Sequence, residues 1–161
     1  MPPKIEERPV DIYFNEADLI YKASYFAAII SVLLMLFGLI TFVWAIPFPH
    51  LAFLDKYNGY LNWASFLIAA TIYYLLKLSP MVSYIMLFML FGFSYGIIQL
   101  EHLQKSGGPA LWIVGFGVLI IGLVIQMLSF KQKDVDKRAH QMLISPVWLI
   151  VFLLKKIGIR Y

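Results

Sequence analysis

The segment YLNWASFLIAATIYYLLKLSPMVSYIMLFMLFGFSYGIIQL, residues 60–100, sets the architecture of the chain. It holds two uncharged apolar runs, residues 61–76 and 78–100, on either side of a single lysine. Because a helix rises ~1.5 Å per residue, each run is about long enough to cross a hydrocarbon core of ~30 Å. Ser79 suits a helix N-cap and Pro80 suits the first helical position, so the connection is very short. The segment therefore predicts an antiparallel pair of transmembrane helices.

The composition also indicates a membrane protein. Of the 161 residues, 61% are hydrophobic, whereas soluble domains have ~45–50% with glycine included. Cysteine is absent, which excludes disulfides within the chain and thiolate metal sites. The net charge of +4 comes from Lys and Arg residues that stand at the ends of apolar runs rather than on one solvated face. We therefore expect charges at the membrane edge and no nucleic-acid partner.

The other apolar runs extend the hairpin into a larger helical domain. Residues 1–14 are predicted to be a loose N-terminal tail, and residues 15–161 a single helical membrane domain. Asn15 is an N-cap candidate before acidic residues, and the helical pattern continues without a break from Glu16 to Ile46. The predicted membrane spans are residues 23–46, 61–77, 80–100 and 109–130.

A fifth apolar stretch, residues 139–154, is predicted to be re-entrant or interfacial. It is short for a complete crossing, and Pro146 interrupts it. The predicted fold class is therefore all-α: an integral membrane bundle of four transmembrane helices plus a C-terminal re-entrant or interfacial helix.

The distribution of Lys and Arg predicts the orientation. If four spans cross the membrane and the N-terminus is inside, eleven of these residues are inside and two are outside. If the fifth stretch also crosses, the split falls to eight and five. Positive residues are enriched in cytoplasmic loops. We therefore expect both termini on the cytoplasmic side of the cell inner membrane or the endoplasmic reticulum.

One sequence pattern predicts a close helix contact. Gly92 and Gly96 form a Gly-x-x-x-Gly pattern in the third span, which permits two helix backbones to approach closely.

Residue spacing alone predicts no catalytic site. The four spans hold no charged side chain away from their ends, which argues against an ion pump or a proton-coupled transporter. His50 and His102 are predicted on one side of the membrane and His140 on the other, so they form no metal-binding set. We therefore predict no catalytic residue, no metal ligand and no cofactor.

Six short stretches, taken in order, resemble one family of small membrane proteins. They are IPFP at residues 46–49, NWA at 62–64, YYL at 73–75, LSP at 78–80, SPVWL at 145–149 and FLLKKIGIRY at 152–161. Together they are similar to the 2-hydroxy fatty acid dioxygenase-like (2-hydroxy-palmitate dioxygenase-like) family, and the likeness covers nearly the whole chain from residue 12 onward.

The resemblance implies iron(II) chemistry, in which histidine ligands hold a metal that uses dioxygen to shorten a 2-hydroxy acyl chain. The positions of the first motif, which reads His, Asn and His, fall on Ile12, Ala17 and Tyr21. The Gly-His pair of the second motif falls on Ser129 and Phe130. All of the motif histidines are missing, and phenylalanine has no donor atom for a metal. The resemblance therefore implies the fold but neither iron binding nor turnover of 2-hydroxy fatty acids.

The expected function is that of a non-catalytic homologue that binds lipid or a fatty acyl chain. Its candidate contacts to membrane lipid head groups are Lys22, Lys131, Lys133, Arg138 and His140. One alternative is a structural or interaction subunit that forms a homo-oligomer or docks a protein partner through its inner face. Another is an active α-oxidation enzyme with a relocated site, for which Glu101 and His102 are the candidates.

Overall fold

The computed structural model describes residues 9–21, 24–49, 61–129 and 135–159. These residues form six helices and no strand, which confirms the predicted all-α class. The helices are α1 (Pro9–Tyr21), α2 (Tyr25–Trp44), α3 (Trp63–Leu78), α4 (Pro80–Lys105), α5 (Leu111–Ser129) and α6 (Val135–Ile157).

The predicted hairpin is present as α3 and α4. Asn62 caps α3, because its Oδ1 atom accepts a hydrogen bond of 2.9 Å from the backbone N–H of Ser65. Ser79 alone separates the two helices, and Pro80 is the first residue of α4. The Ser83 hydroxyl donates to the carbonyl of Ile72 at 3.3 Å, which links the two helices near their turn.

The prediction of four spanning helices is confirmed for three of them. In the described part of the chain, only α2, α4 and α5 are both long and apolar enough to cross a membrane. Helix α3 has 16 residues and is ~24 Å long, which is less than a hydrocarbon core of ~30 Å. Its length is set by the Asn62 cap at one end and the turn at Ser79 at the other.

The prediction of one continuous helix from residue 16 to 46 is wrong. Helix α1 ends at Tyr21 and α2 begins at Tyr25. Between them, Ser24 has φ −160° and ψ 81°, which is outside the helical region.

The N-terminal boundary differs from the predicted loose tail of residues 1–14. Helix α1 begins at Pro9, a favoured residue for a first helical position, and Asn15 is an exposed residue inside it rather than a cap. The helix is stabilised by one buried stripe at helical spacing, which tertiary contacts cover. The stripe consists of Val10, Phe14, Ala17 and Tyr21.

Helix α6 continues through Pro146 instead of being interrupted there. Proline cannot donate to the carbonyl four residues earlier, here that of Met142. The Ser145 hydroxyl donates to this carbonyl at 2.7 Å and so replaces the missing hydrogen bond. Helix α6 ends at Gly158, whose φ of 79° suits glycine at a helix C-terminus. It is not among the helices that are apolar enough to span, and its interfacial position stays a prediction.

The closest helix pair is α2 and α5, which run antiparallel. Three glycines permit this contact. A Cβ atom added to Gly115 would lie 2.6 Å from the backbone nitrogen of Phe42, and one added to Gly122 would lie 2.6 Å from that of Met35. Gly38 faces the backbone of Leu119 in the same way. Small residues thus allow backbone approach at this pair of helices.

The predicted Gly92–Gly96 contact is wrong. A Cβ atom added to Gly92 would meet nothing within 4 Å, and one added to Gly96 would meet only the flexible ring of Phe37, at 3.4 Å. Within the described ranges, no backbone of another helix lies against this face of α4.

Helices α1 and α6 lie together at one end of the bundle. The hydroxyl of Tyr13 in α1 is 3.4 Å from that of Tyr74 near the end of α3, and the side chain of Gln126 near the end of α5 reaches Tyr21 of α1. At the opposite end, Trp44 and Glu101 line a common cavity. The first and last helices of the chain therefore pack where α3 and α5 finish.

Candidate functional site

The residues at the family motif positions do not form one site. Ala17 and Tyr21 are buried, whereas Ile12 is 45% exposed. Ile12 is nine residues before Tyr21, so at ~100° per residue it lies on the opposite side of α1. Phe130 lies outside the described residues.

Most of the predicted head-group contacts cannot be placed. Lys22, Lys131 and Lys133 lie outside the described residues, as does the side chain of Arg138 in α6. His140 is described and exposed, and its Nδ1 atom lies 4.0 Å from a carboxylate oxygen of Glu16. Of the five candidates, His140 is therefore the one whose side chain the structure places, between α1 and α6.

Tyr21 is held by a buried polar cluster between α1, α5 and α6. The Nε2 atom of Gln126 donates to the Tyr21 hydroxyl at 2.8 Å, and the Ser145 side chain also hydrogen-bonds it. Burial raises the pKa of Tyr21 above its ordinary value, and the hydrogen bond donated by Gln126 offsets part of that rise. Tyr21 is therefore a neutral phenol. The Oε1 atom of Gln126 is buried and has no hydrogen-bond partner among the described residues.

An aromatic group surrounds this cluster. The ring of Trp148 lies 4.4 Å from that of Tyr21, and its Nε1 atom donates to Asp18 at 3.4 Å. The hydroxyl of Tyr25, at the start of α2, donates to the same carboxylate at 3.5 Å. Asp18 thus joins α1 to both α2 and α6.

This cluster is not among the features predicted from the sequence, although the sequence holds one signal for it. Gln126 is a single amide within an otherwise apolar predicted span, and polar residues in such spans usually face a partner inside the protein. The sequence could not show that the partner is Tyr21, which is 105 residues away.

These side chains do not fit the iron centre that the family resemblance implies. Ile12 and Ala17 have no donor atom, and the Tyr21 oxygen already accepts a hydrogen bond from Gln126. Over the described parts of the chain, no group of three or more His, Cys, Asp or Glu side chains is placed to hold a metal. We derive no chemical step through iron.

A cavity of about 500 Å³ lies beside the polar cluster, between α1, α3, α4 and α6, and is called the α1–α6 cavity below. Its inner wall is apolar and includes the buried residues Leu75, Met86 and Val147. Four lining residues are polar, and they are Tyr13, Thr71, Tyr74 and His140. The cavity thus combines a long apolar surface with a small number of hydrogen-bonding groups.

A second cavity of about 400 Å³ lies at the opposite end of the bundle. Its polar side chains already have partners within the fold. Asn62 caps α3, Gln104 accepts from the backbone N–H of Leu111 at 2.8 Å, and Glu101 lies 3.4 Å from Lys105. These contacts stabilise helix ends, and His102 is not among the lining residues. The geometry therefore does not favour the predicted alternative of a relocated site at Glu101 and His102.

Comparisons with known proteins identify no relative. No family model matches the chain, and no curated protein or solved structure matches it significantly.

Proposed function

We propose that this chain is an integral membrane protein that binds a lipid or fatty acyl chain in the α1–α6 cavity. The observation that supports this most directly is the composition of the cavity wall. Leu75, Met86 and Val147 offer apolar surface, while Tyr13 and Tyr74 bring two hydroxyl groups to it. Ligand sites typically have ~300–1,000 Å³, apolar walls and a few polar groups that orient the ligand. An amphiphile has the matching division into an apolar chain and a polar head.

The position of the cavity supports a membrane ligand. It lies at the end of the bundle where α1 and α6 meet the last turns of α3. Exposed Lys77 of α3, and exposed Lys155 and Lys156 of α6, lie in the last turns of their helices. Cations near a membrane surface attract anionic head groups. We propose that α3 also crosses the membrane and that this end faces the cytoplasm, because the four-crossing arrangement gives the eleven-to-two distribution of positive residues.

The resemblance to the 2-hydroxy fatty acid dioxygenase-like family stays a prediction, since the comparisons do not test it. It is compatible with the proposed role, because a homologue without the histidine ligands could retain an acyl-chain site while losing the reaction. No observation in the described residues favours the alternative of an interaction subunit.

Photolabelling with lipid probes tests the proposal. Palmitic acid and 1-monopalmitoylglycerol, each with a diazirine in its acyl chain, are added to the purified full chain in detergent micelles. We expect at least one probe to label residues around the cavity in α3 and α6. Ala70→Phe should reduce this labelling several-fold, because Ala70 is an exposed lining residue whose enlarged side chain would occupy the cavity.

Ala69→Phe is the matched control. Ala69 is the neighbouring exposed residue of α3 and lines a different groove, so it imposes the same loss of helix propensity without entering the cavity. Equal labelling of the two variants, or no labelling of the unmodified chain, would contradict the proposed function. A stoichiometric protein partner after mild solubilisation, without cavity labelling, would instead favour an interaction subunit.

A further inference from the structure

We propose that the α1–α6 cavity selects an amphiphile with an uncharged, hydroxyl-bearing head group over one with a carboxylate. A monoacylglycerol is an example of the favoured class, and an ionised fatty acid is an example of the disfavoured one. This inference rests on the proposed function and specifies the chemistry of its ligand.

The described lining disfavours a charged head group. None of the described residues that line the cavity is Lys, Arg, Asp or Glu. Among the described lining residues the one histidine is His140, and its Nδ1 atom lies 4.0 Å from a carboxylate oxygen of Glu16, which would offset a positive charge on the imidazole. An ionised head group that enters a partly apolar cavity loses hydration, and this loss is costly without an opposite charge. The described part of the lining therefore offers no unpaired cation to compensate a carboxylate.

Two described lysines at this end of the bundle are engaged with aromatic rings. The Nζ atom of Lys155 lies 3.6 Å from the centroid of the Phe14 ring, and that of Lys77 lies 4.6 Å from the centroid of the Tyr73 ring. Both are cation–π contacts. Neither lysine lines the cavity, so their charges are directed to surfaces outside it.

The polar groups of the lining also favour a ligand that can both donate and accept hydrogen bonds. The Thr71 hydroxyl donates to the carbonyl of Leu67 at 2.8 Å, so towards a ligand it can only accept. The hydroxyl oxygens of Tyr13 and Tyr74 are 3.4 Å apart, which is long compared with the ~2.7–2.8 Å typical of O–H···O hydrogen bonds. A ligand hydroxyl can both donate and accept, and can therefore satisfy all three groups, whereas a carboxylate can only accept.

Competition between matched lipids tests this inference. The full chain, in uncharged detergent at about pH 8.5, is labelled with the diazirine monoacylglycerol while unlabelled 1-monopalmitoylglycerol or palmitate is added. At this pH the palmitate carboxyl group is ionised. We expect monopalmitoylglycerol to compete at a mole fraction at least about fivefold lower than palmitate, since one net hydrogen bond changes affinity by roughly that factor.

Two threonines provide the variant and its control. Thr71→Val removes the cavity oxygen that can only accept from a ligand, and it should bring the preference below about twofold. Thr41→Val removes a hydroxyl that makes the same bond to the carbonyl four residues earlier, outside the cavity, and it should preserve the preference. A preference below about fivefold in the unmodified chain would overturn the inference, and so would a Thr71→Val variant that keeps it. Both results leave the proposed function standing, provided that the labelling is lost in Ala70→Phe. Absence of cavity labelling would refute the proposed function itself.

Discussion

Tyr21 and Gln126 connect the first helix to the fifth through one buried hydrogen bond of 2.8 Å. Both side chains are almost completely buried. A buried polar group is costly when it has no partner, so the removal of one member of the pair has more effect than the removal of both. The resemblance assigned Tyr21 to a lost metal site, whereas the described contacts give it a structural role.

We expect Tyr21→Phe to lower the free energy of unfolding by about 1–3 kcal/mol, because Gln126 then lies buried without its partner. The double variant Tyr21→Phe with Gln126→Leu should lose less free energy of unfolding than Tyr21→Phe alone. Chemical denaturation in detergent at pH 7 measures both losses. The phenol is neutral in both states at this pH, since its folded pKa is raised from 10.0. The stability that it contributes is lost only as pH rises through that folded pKa.

The control for this experiment is Tyr95→Phe, because Tyr95 is 69% exposed on the outer surface of α4, so removal of its hydroxyl leaves no buried partner unpaired. A Tyr21→Phe variant as stable as the unmodified protein would show that the buried pair contributes nothing. A double variant less stable than Tyr21→Phe would show that Gln126 has another stabilising contact.

At the scale of helices, the α2–α5 contact depends on glycines whose neighbours are backbone atoms. Flexible side chains can move away from an added methyl group, whereas the backbone of a packed helix cannot do so without separating the pair. Gly115 and Gly122 are in this situation, and Gly117 on the same helix is not.

We expect Gly115→Ala to destabilise the protein by about 1–3 kcal/mol through overpacking, and Gly122→Ala to act in the same direction. Gly117→Ala is the matched control, because an added Cβ atom there meets nothing within 4 Å. Alanine also favours a helix by about 1 kcal/mol over glycine, so the control should be neutral or stabilising. Thermal unfolding in detergent measures the three variants, and equal melting temperatures for Gly115→Ala and Gly117→Ala would refute the close α2–α5 contact.

At the scale of the whole molecule, α1 and α6 share the end of the bundle where α3 finishes. The loop between α4 and α5 lies at the other end, near Trp44. The two ends of the helical bundle therefore carry different parts of the chain, and a topology experiment can distinguish them.

We expect a reporter that is active only outside the cytoplasm to be inactive when fused after Tyr161. The same reporter fused after Gly107, in the loop at the opposite end, should be active and serves as the positive control. The physical reason is the excess of Lys and Arg on the predicted inner side. Strong activity of the Tyr161 fusion would show that α6 crosses the membrane and that the inferred orientation of the C-terminus is wrong.

The parts of the fold that could be predicted from the sequence depend on interactions local to the chain. The α3–α4 hairpin follows from an Asn cap, a one-residue turn and a proline at the first helical position, all within one short segment. The apolar composition and the membrane-length helices α2, α4 and α5 are likewise readable from residue order. The break after Tyr21 was missed because tertiary burial of the α1 stripe, rather than helix propensity, sets where that helix ends.

The pairing of helices and the candidate site depended instead on contacts between residues far apart in the chain. The sequence did not show which of several glycines lies at a close helix contact. The difference between Gly115, which faces the backbone of another helix, and Gly92, which does not, appears only in the structure. In the same way, Tyr13 and Tyr74 meet across 61 residues. The spacing of apolar residues along a helix identifies the face that it buries. It does not identify the partner helix, because many helices have similar apolar faces and the pairing depends on how their shapes fit together.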